Sequence, residues 1–326
     1  MTITGGGGAA PYEVLAGTGG TTFFDSSALG GGIGLGGGAN TVAGNSSLAP
    51  LQGNWLIDAG TGNPNSTYYL VLGKGADTVS LGGKTTVFGG TAGTLILNGN
   101  TDSVDPVVVT GAGSETVSGL LGGDMLIGPG PTVKGADLLE GGVLGGDTIS
   151  APVASGINTI VGGGPGDALF AASGPVGAIF FAGTGAETVQ AGPSTASLTI
   201  YGGTSFANGK PNDVIAGGSG DSYMVAGAGA GNDTIFTYKG HDSVWFVQSV
   251  TGGHKSTDIL ADFNTSRDKF LYQRYGKDAF TVSTISGGTY AGKVEFTMSD
   301  GTKVIFADVT DSHLIKTFKS DAPGTT

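Results

Sequence analysis

One short phrase recurs along this chain and narrows the folds open to it: glycine, any residue, an acid or asparagine, threonine, then valine or isoleucine. It ends at Val42, Val79, Val117, Ile149, Ile160, Val189 and Ile235. A glycine-rich chain produces Gly-x-Asp by accident, but accident does not repeat a threonine-aliphatic pair seven times. The phrase is therefore read as a structural repeat, one in which glycine permits a tight turn and the aliphatic residue points inward from a short strand.

The repeat is densest over residues 229–245. Gly-x-Asp-x-aliphatic occurs there twice, at Gly231, Asp233 and Ile235 and again at Gly240, Asp242 and Val244, nine residues apart. With Gly229, the first copy matches all but the first glycine of the nonapeptide Gly-Gly-x-Gly-x-Asp-x-aliphatic-x, one half-turn of a parallel β-roll. An aspartate among turn carbonyls suits a hard cation with oxygen ligands. Asp221, Asp233 and Asp242 are thus candidate Ca²⁺ ligands, with Gly229, Gly231 and Gly240 shaping the turns. The other reading is that Asp233 and Asp242 close turns without a metal.

Strand-sized runs closed by glycine or asparagine fit the same picture, as at Thr86-Val87-Phe88-Gly89 and Ser197-Leu198-Thr199-Ile200-Tyr201-Gly202. Intervals between acids are irregular, nine residues from Glu115 to Asp124 but twenty-three from Asp124 to Asp147, so coils of unequal length with loop insertions are expected. The expected fold is all-β: a parallel β-roll or β-helix solenoid with a C-terminal antiparallel β cap. Residues 1–50 read as a glycine-dense start of the stack, 51–250 as solenoid repeats and 251–326 as cap and tail. Ser299-Asp300-Gly301 between two alternating runs is a hairpin signal. Trp55 reads as core or cap.

Charge divides the chain. Residues 1–238 carry four Lys or Arg against sixteen acids, and from Lys239 onward ten basic residues meet ten acidic ones. Without a basic patch to neutralise phosphates, nucleic acid is not an expected partner. Disorder requires low hydrophobicity and high charge. Here 66 glycines are punctuated by aliphatic residues, charged residues are 12% and mean hydropathy is +0.15, which argues for an ordered stack. Cysteine is absent, so there are no disulfides or thiolate metal sites. The amino terminus shows no basic segment followed by an apolar run, and no stretch is apolar enough to span a bilayer.

Catalytic patterns are missing. The three histidines form no His-Glu-x-x-His zinc motif, and no serine sits in Gly-x-Ser-x-Gly. Gly82-Gly83-Lys84-Thr85 lacks the first glycine of a phosphate loop, because Thr78 holds that position. No enzyme is expected.

The run over residues 229–245, the phrase Gly217-Gly218-Ser219-Gly220-Asp221, and Ile259-Leu260-Ala261-Asp262-Phe263 followed by Asp268-Lys269-Phe270-Leu271 together carry a resemblance to the RTX, or hemolysin-type calcium-binding repeat, proteins of bacteria. The resemblance implies export through type I secretion machinery by an uncleaved C-terminal signal, and calcium-driven folding outside the cell. This chain departs from the pattern where Asn40 and Asn158 replace the aspartate, where Glu115 and Glu187 lengthen it, and where Asp221 comes one residue early. Since no catalytic module remains beside the repeats, the expectation is a secreted, self-associating structural protein of a surface layer, biofilm matrix or filament. The alternatives are a calcium-binding solenoid with a face for carbohydrate, such as cell-surface polysaccharide, or for ice, and, further off, a polysaccharide-acting enzyme.

Overall fold

The computed structural model describes residues 1–5, 12–25, 30–44, 50–59, 65–90, 95–98, 105–118, 121–128, 136–151, 156–171, 177–190, 192, 195–203, 212–226, 231–248, 255–275 and 278–319. The chain is a parallel β-solenoid divided into two compact units, Met1–Gly164 and Pro165–Thr326. Each coil contributes one short strand to each of two ladders. Strands therefore alternate between ladders along the sequence, and each pairs in parallel with the strand one coil away.

In the first unit, one ladder runs Thr2–Thr4, Thr22–Phe24, Ala39–Ala43, Thr67–Val71, Lys84–Phe88, Val107–Val109, Met125–Ile127 and Thr148–Ala151. The other runs Tyr12–Leu15, Gly30–Gly34, Asn54–Asp58, Asp77–Ser80, Leu95–Asn98, Thr116–Ser118, Leu138–Glu140 and Asn158–Val161. In the second unit, Ala168–Ala171, Thr188–Gln190, Val214–Ala216, Thr234–Phe236 and Thr257–Leu260 form one ladder. Opposite them stack Ala178–Phe181, Leu198–Tyr201, Ser222–Val225, Ser243–Val247, Lys269–Gln273 and Thr317–Lys319.

Successive side chains of a strand point to opposite faces, so a strand of three to five residues places one or two inward. The aliphatic residue that closes the repeat phrase takes that position: Val42, Val79, Val117, Ile149, Ile160, Val189 and Ile235 are all fully buried. Each such burial stabilises the stack by about 1.5–3 kcal/mol. The nine-residue spacing of Asp233 and Asp242 is half a coil, since Thr234–Phe236 lies in one ladder and Ser243–Val247 in the other. Trp55 is core, packed edge-on against Phe23 at 5.6 Å with its indole N–H donated to the Gln52 carbonyl.

Register sets the extent of the cap and the place of the glycine-dense start. The cap is smaller than residues 251–326, because Thr257–Leu260, Lys269–Gln273, Lys303–Phe306 and Thr317–Lys319 all continue the parallel ladders. Among the described residues, only the pairings of Phe280–Thr284, Val294–Met298 and Lys303–Phe306 are antiparallel, with the tight turn at Gly301 (φ 93°) as the Asp-Gly signal indicated. This hairpin covers the stack with aromatic packing: the Phe296 ring stacks on Phe280 at 4.5 Å and meets Phe306 at 5.0 Å and Phe270 at 5.5 Å. The glycine-dense start, in turn, forms paired strands like the rest. Gly30–Gly34 lies between Tyr12–Leu15 and Asn54–Asp58, and a Cβ on Gly30 would stand 1.8 Å from the Asn54 carbonyl oxygen.

Glycine sets how closely coils approach at the corners. A Cβ added to Gly90 would fall 1.4 Å from the Gly73 carbonyl oxygen, a backbone atom that cannot swing aside, whereas a Cβ on Gly19 would meet nothing within 4 Å. Gly90→Ala should therefore destabilise the protein by about 2–4 kcal/mol in urea unfolding, as overpacking against fixed backbone does, while Gly19→Ala stays within about 0.5 kcal/mol of wild type. Equal midpoints for the two variants would contradict this account of the corners.

Candidate functional site

The acids of the repeat lie inside the solenoid. Asp77, Glu115, Asp124, Asp137, Asp147, Asp167, Glu187, Asp213, Asp233, Asp242, Asp258 and Asp268 are all buried. Each stands just before the inward aliphatic position of its strand, at the corner where the turn enters the ladder. Strand register stacks them into columns. Glu187, Asp213, Asp233 and Asp258 occupy one column on successive coils of the second unit, while Ser222, Asp242 and Asp268 occupy the other.

Within a column the contact repeats. The amide N–H of one acid donates to Oδ1 of the acid one coil further on: Glu187 to Asp213 at 3.0 Å, Asp213 to Asp233 at 3.0 Å, Asp233 to Asp258 at 3.0 Å and Asp242 to Asp268 at 3.2 Å. The first unit repeats it from Asp124 to Asp147 at 2.8 Å and from Asp137 to Asn158 at 3.0 Å. The second carboxylate oxygen often closes the acid's own turn, accepting the Gly73 amide at Asp77, the Gly203 amide at Asp213 and the Asn264 amide at Asp268. A corner acid thus satisfies backbone donors on two coils at once. Asn40 and Asn158 keep the bond between coils through their amide oxygens, Asn40 accepting from Thr21 N–H at 3.1 Å while its Nδ2 donates to the Gly36 and Gly38 carbonyls of its own turn.

Burial weakens five of these acids. Desolvation raises the Asp77 carboxyl to about 6, Asp242 to about 7, and Glu115 and Asp258 to about 8, with neighbouring carboxylates adding to it at the last three. Glu187 rises furthest, to about 9, first through desolvation and then through Asp213. A Cβ on Gly203 would meet Glu187 Oε2 at 3.0 Å and Asp213 Oδ2 at 3.2 Å, so the two carboxyls face the same narrow corner. A proton held on Glu187 relieves that repulsion and turns the side chain into a donor.

The structure separates the residues singled out as calcium ligands. Asp233 (5% exposed) and Asp242 (0%) sit in different columns, and each gives Oδ1 to an amide, those of Asp213 and Ser222. Asp221 is 64% exposed and caps the His241 amide at 2.9 Å, with the imidazole Nδ1 3.4 Å away. Gly231 and Gly240 are buried at corners, and a Cβ on Gly240 would meet the Gly220 carbonyl oxygen at 2.1 Å. Gly229 lies outside the described residues. Among the described residues, no group of three His, Asp or Glu side chains stands close enough to hold a metal ion through side chains alone. No helix among the described residues is long and apolar enough to cross a membrane.

Sequence reasoning passed over Asp137, Asp213 and Asp268 as column members. Their neighbours in space lie 20 to 26 residues away, at intervals that insertions disguise. One further feature carried no sequence signal. Tyr238 adopts a left-handed backbone conformation (φ 56°) and is 46% exposed.

No protein-family model matches the chain, and no curated protein matches it in sequence. The class defined by the coordinates is that of the parallel β-solenoids.

The sign of the pH dependence follows from the raised acids. Where the folded carboxyl holds its proton more tightly than the unfolded one, stability is fully present below the unfolded value of about 4 and is lost as pH rises through the folded values of about 6 to 9. Chemical unfolding in chelator should show stability falling between pH 5 and pH 9. Glu187→Gln, which keeps the shape and removes the ionisable group, should raise stability at pH 8 by about 1–3 kcal/mol and flatten the slope. Stability that climbs over this interval would contradict the assignment.

Proposed function

We propose that the chain is a secreted structural protein, a β-solenoid that self-associates in a surface layer, matrix or filament. One observation carries the reading, the internal location of its acidity. Of the sixteen acids in residues 1–238, fifteen lie among the described residues, and ten of these (Asp25, Asp77, Glu115, Asp124, Asp137, Asp147, Asp167, Glu187, Asp213 and Asp233) are buried. The formal charge of −12 therefore overstates what a neighbouring copy meets, and electrostatic opposition to association is weak.

The coil ends support the same reading. Among the described residues, Thr2–Thr4 and Tyr12–Leu15 each pair on one side only, and unpaired strand edges template further pairing. Leu15 on this end is 77% exposed. Stacking a second copy would continue both ladders with backbone hydrogen bonds and no new side-chain chemistry.

Export by type I secretion and the involvement of calcium enter through the resemblance of residues 217–245 and 259–271 to RTX repeats. The buried acids supply the physical route by which calcium would act: a cation favours their ionised form, which burial opposes. Titration calorimetry should find lower calcium stoichiometry in Asp233→Ala and Asp242→Ala than in wild type. Equal stoichiometry in all three would remove those residues from any calcium site.

Light scattering and electron microscopy across a calcium series test self-association itself. Ordered polymers or sheets are expected in millimolar calcium, with residues 1–50 at the contact. A monodisperse monomer at high protein and calcium concentration would overturn the structural reading and favour a ligand-binding one.

A further inference from the structure

In the second unit three coils meet at a corner with unequal side chains. Gln190, Ala216 and Phe236 are partners on successive rungs of one ladder. Two residues beyond each comes Gly192, Gly218 and Tyr238 respectively, and the ladder persists past the strand ends, with the Gly217 N–H donated to the Phe236 carbonyl at 2.9 Å. Two glycines followed by a tyrosine make a trough with an aromatic wall. At about 4.8 Å per coil, two coils give a floor roughly 10 Å long, the length of one to two sugar rings. A depression of about 370 Å³ lies here, lined by Gln190, Gly192, Gly218, Ser219, Tyr238 and Lys239.

Tyr238 is fixed in place at some cost. Positive φ is unfavourable for a bulky side chain and persists where surrounding groups over-determine it. Here Asp262 Oδ2 accepts the Tyr238 amide at 2.9 Å, and Arg267 Nη2 donates to the Tyr238 carbonyl at 2.6 Å. Asp262 also accepts from Thr237 N–H at 2.6 Å, tying the preceding residue to the same side chain. Phe236 stacks behind the tyrosine, ring centres 6.1 Å apart and planes 20° from parallel. The residue is thus held in place while it stays exposed to solvent, the reverse of what core packing would select.

The surrounding chemistry narrows the ligand. An open aromatic face beside glycine and amide or hydroxyl side chains suits a ring with an apolar face and a polar rim, which is a pyranose. Lys239 is exposed and forms no ion pair among the described residues, and no lining side chain is acidic. In a chain of net charge −12 that local cation selects for an anionic substituent. We propose that this trough is a binding subsite for an acidic polysaccharide: one pyranose stacks on Tyr238, Gln190 and Ser219 meet its hydroxyls, and Lys239 pairs with its carboxylate. The inference stands apart from self-association and requires no calcium.

Calorimetry on the full chain, using the monomer fraction from gel filtration, tests it with hexagalacturonate and neutral cellohexaose, first in chelator and then in calcium. In chelator the uronate hexamer should bind at least threefold more tightly than the neutral one. Tyr238→Asn removes the ring while keeping a residue that tolerates positive φ, and should weaken both by tenfold or more with an unchanged circular dichroism spectrum. Lys239→Gln, on the exposed turn, should weaken only the uronate, and it decides the matter if Tyr238→Asn fails to fold. The proposal is overturned if wild type binds neither sugar, if both bind equally, or if Lys239→Gln retains the uronate preference. Uronate uptake that requires calcium and survives Tyr238→Asn also overturns it, since that is cation bridging elsewhere on the surface.

Discussion

The fold depends on how a coil of short strands satisfies the backbone donors at its corners. A strand of three residues makes few ladder bonds, and each corner would otherwise leave amides buried without acceptors, at a cost of about 1–3 kcal/mol apiece. The corner carboxylate meets this demand from the side chain. At Asp213 one oxygen takes the Glu187 amide from the preceding coil and the other takes Gly203 from its own turn. Removing such an acid loses a bond between coils and another within one, whereas asparagine, an acceptor on one side, keeps the bond between coils at Asn40 and Asn158.

That solution carries a penalty which shapes the rest of the molecule. A column of carboxyls within one low-dielectric interior cannot be fully ionised, so some hold protons well above their ordinary range, Glu187 above all. The acidity that dominates the sequence of residues 1–238 is therefore largely withdrawn from the surface. What remains outside is a weakly charged β surface, the basis of the self-association proposed above. The trough at Tyr238 sets a cation beside an aromatic ring in a chain whose residues 1–238 carry only four Lys or Arg.

The architecture was legible in the sequence because the repeat phrase states its own geometry. Glycine marks the corner, the aliphatic residue marks the inward position, and nine residues between Asp233 and Asp242 mark half a coil. The direction in which the acid points was not legible. An aspartate in a glycine turn reads equally as a metal ligand or as a turn closure, and the choice depends on where the next coil's amide lies, at sequence distances that vary from 20 to 26 residues in the second unit. The extent of the cap was hidden for a similar reason, since Thr257–Leu260 and Lys269–Gln273 continue the two parallel ladders through partners that only register reveals. Tyr238 was invisible because its significance lies in a positive φ and in two glycines one and two coils away.

Amide hydrogen exchange of the intact protein tests the central claim most directly, that corner acids hold one coil to the next. The amides of Asp213, Ser222 and Asp233 donate to side-chain oxygens rather than to a strand partner. If those bonds join the coils, these amides exchange as slowly as the strand interiors around Ile235 and Val244, opening only with the stack as a whole. Exchange at the rate of exposed turns, with the strand amides still protected, would show that the acids are bystanders and that the coils are held by aliphatic packing and ladder hydrogen bonds alone.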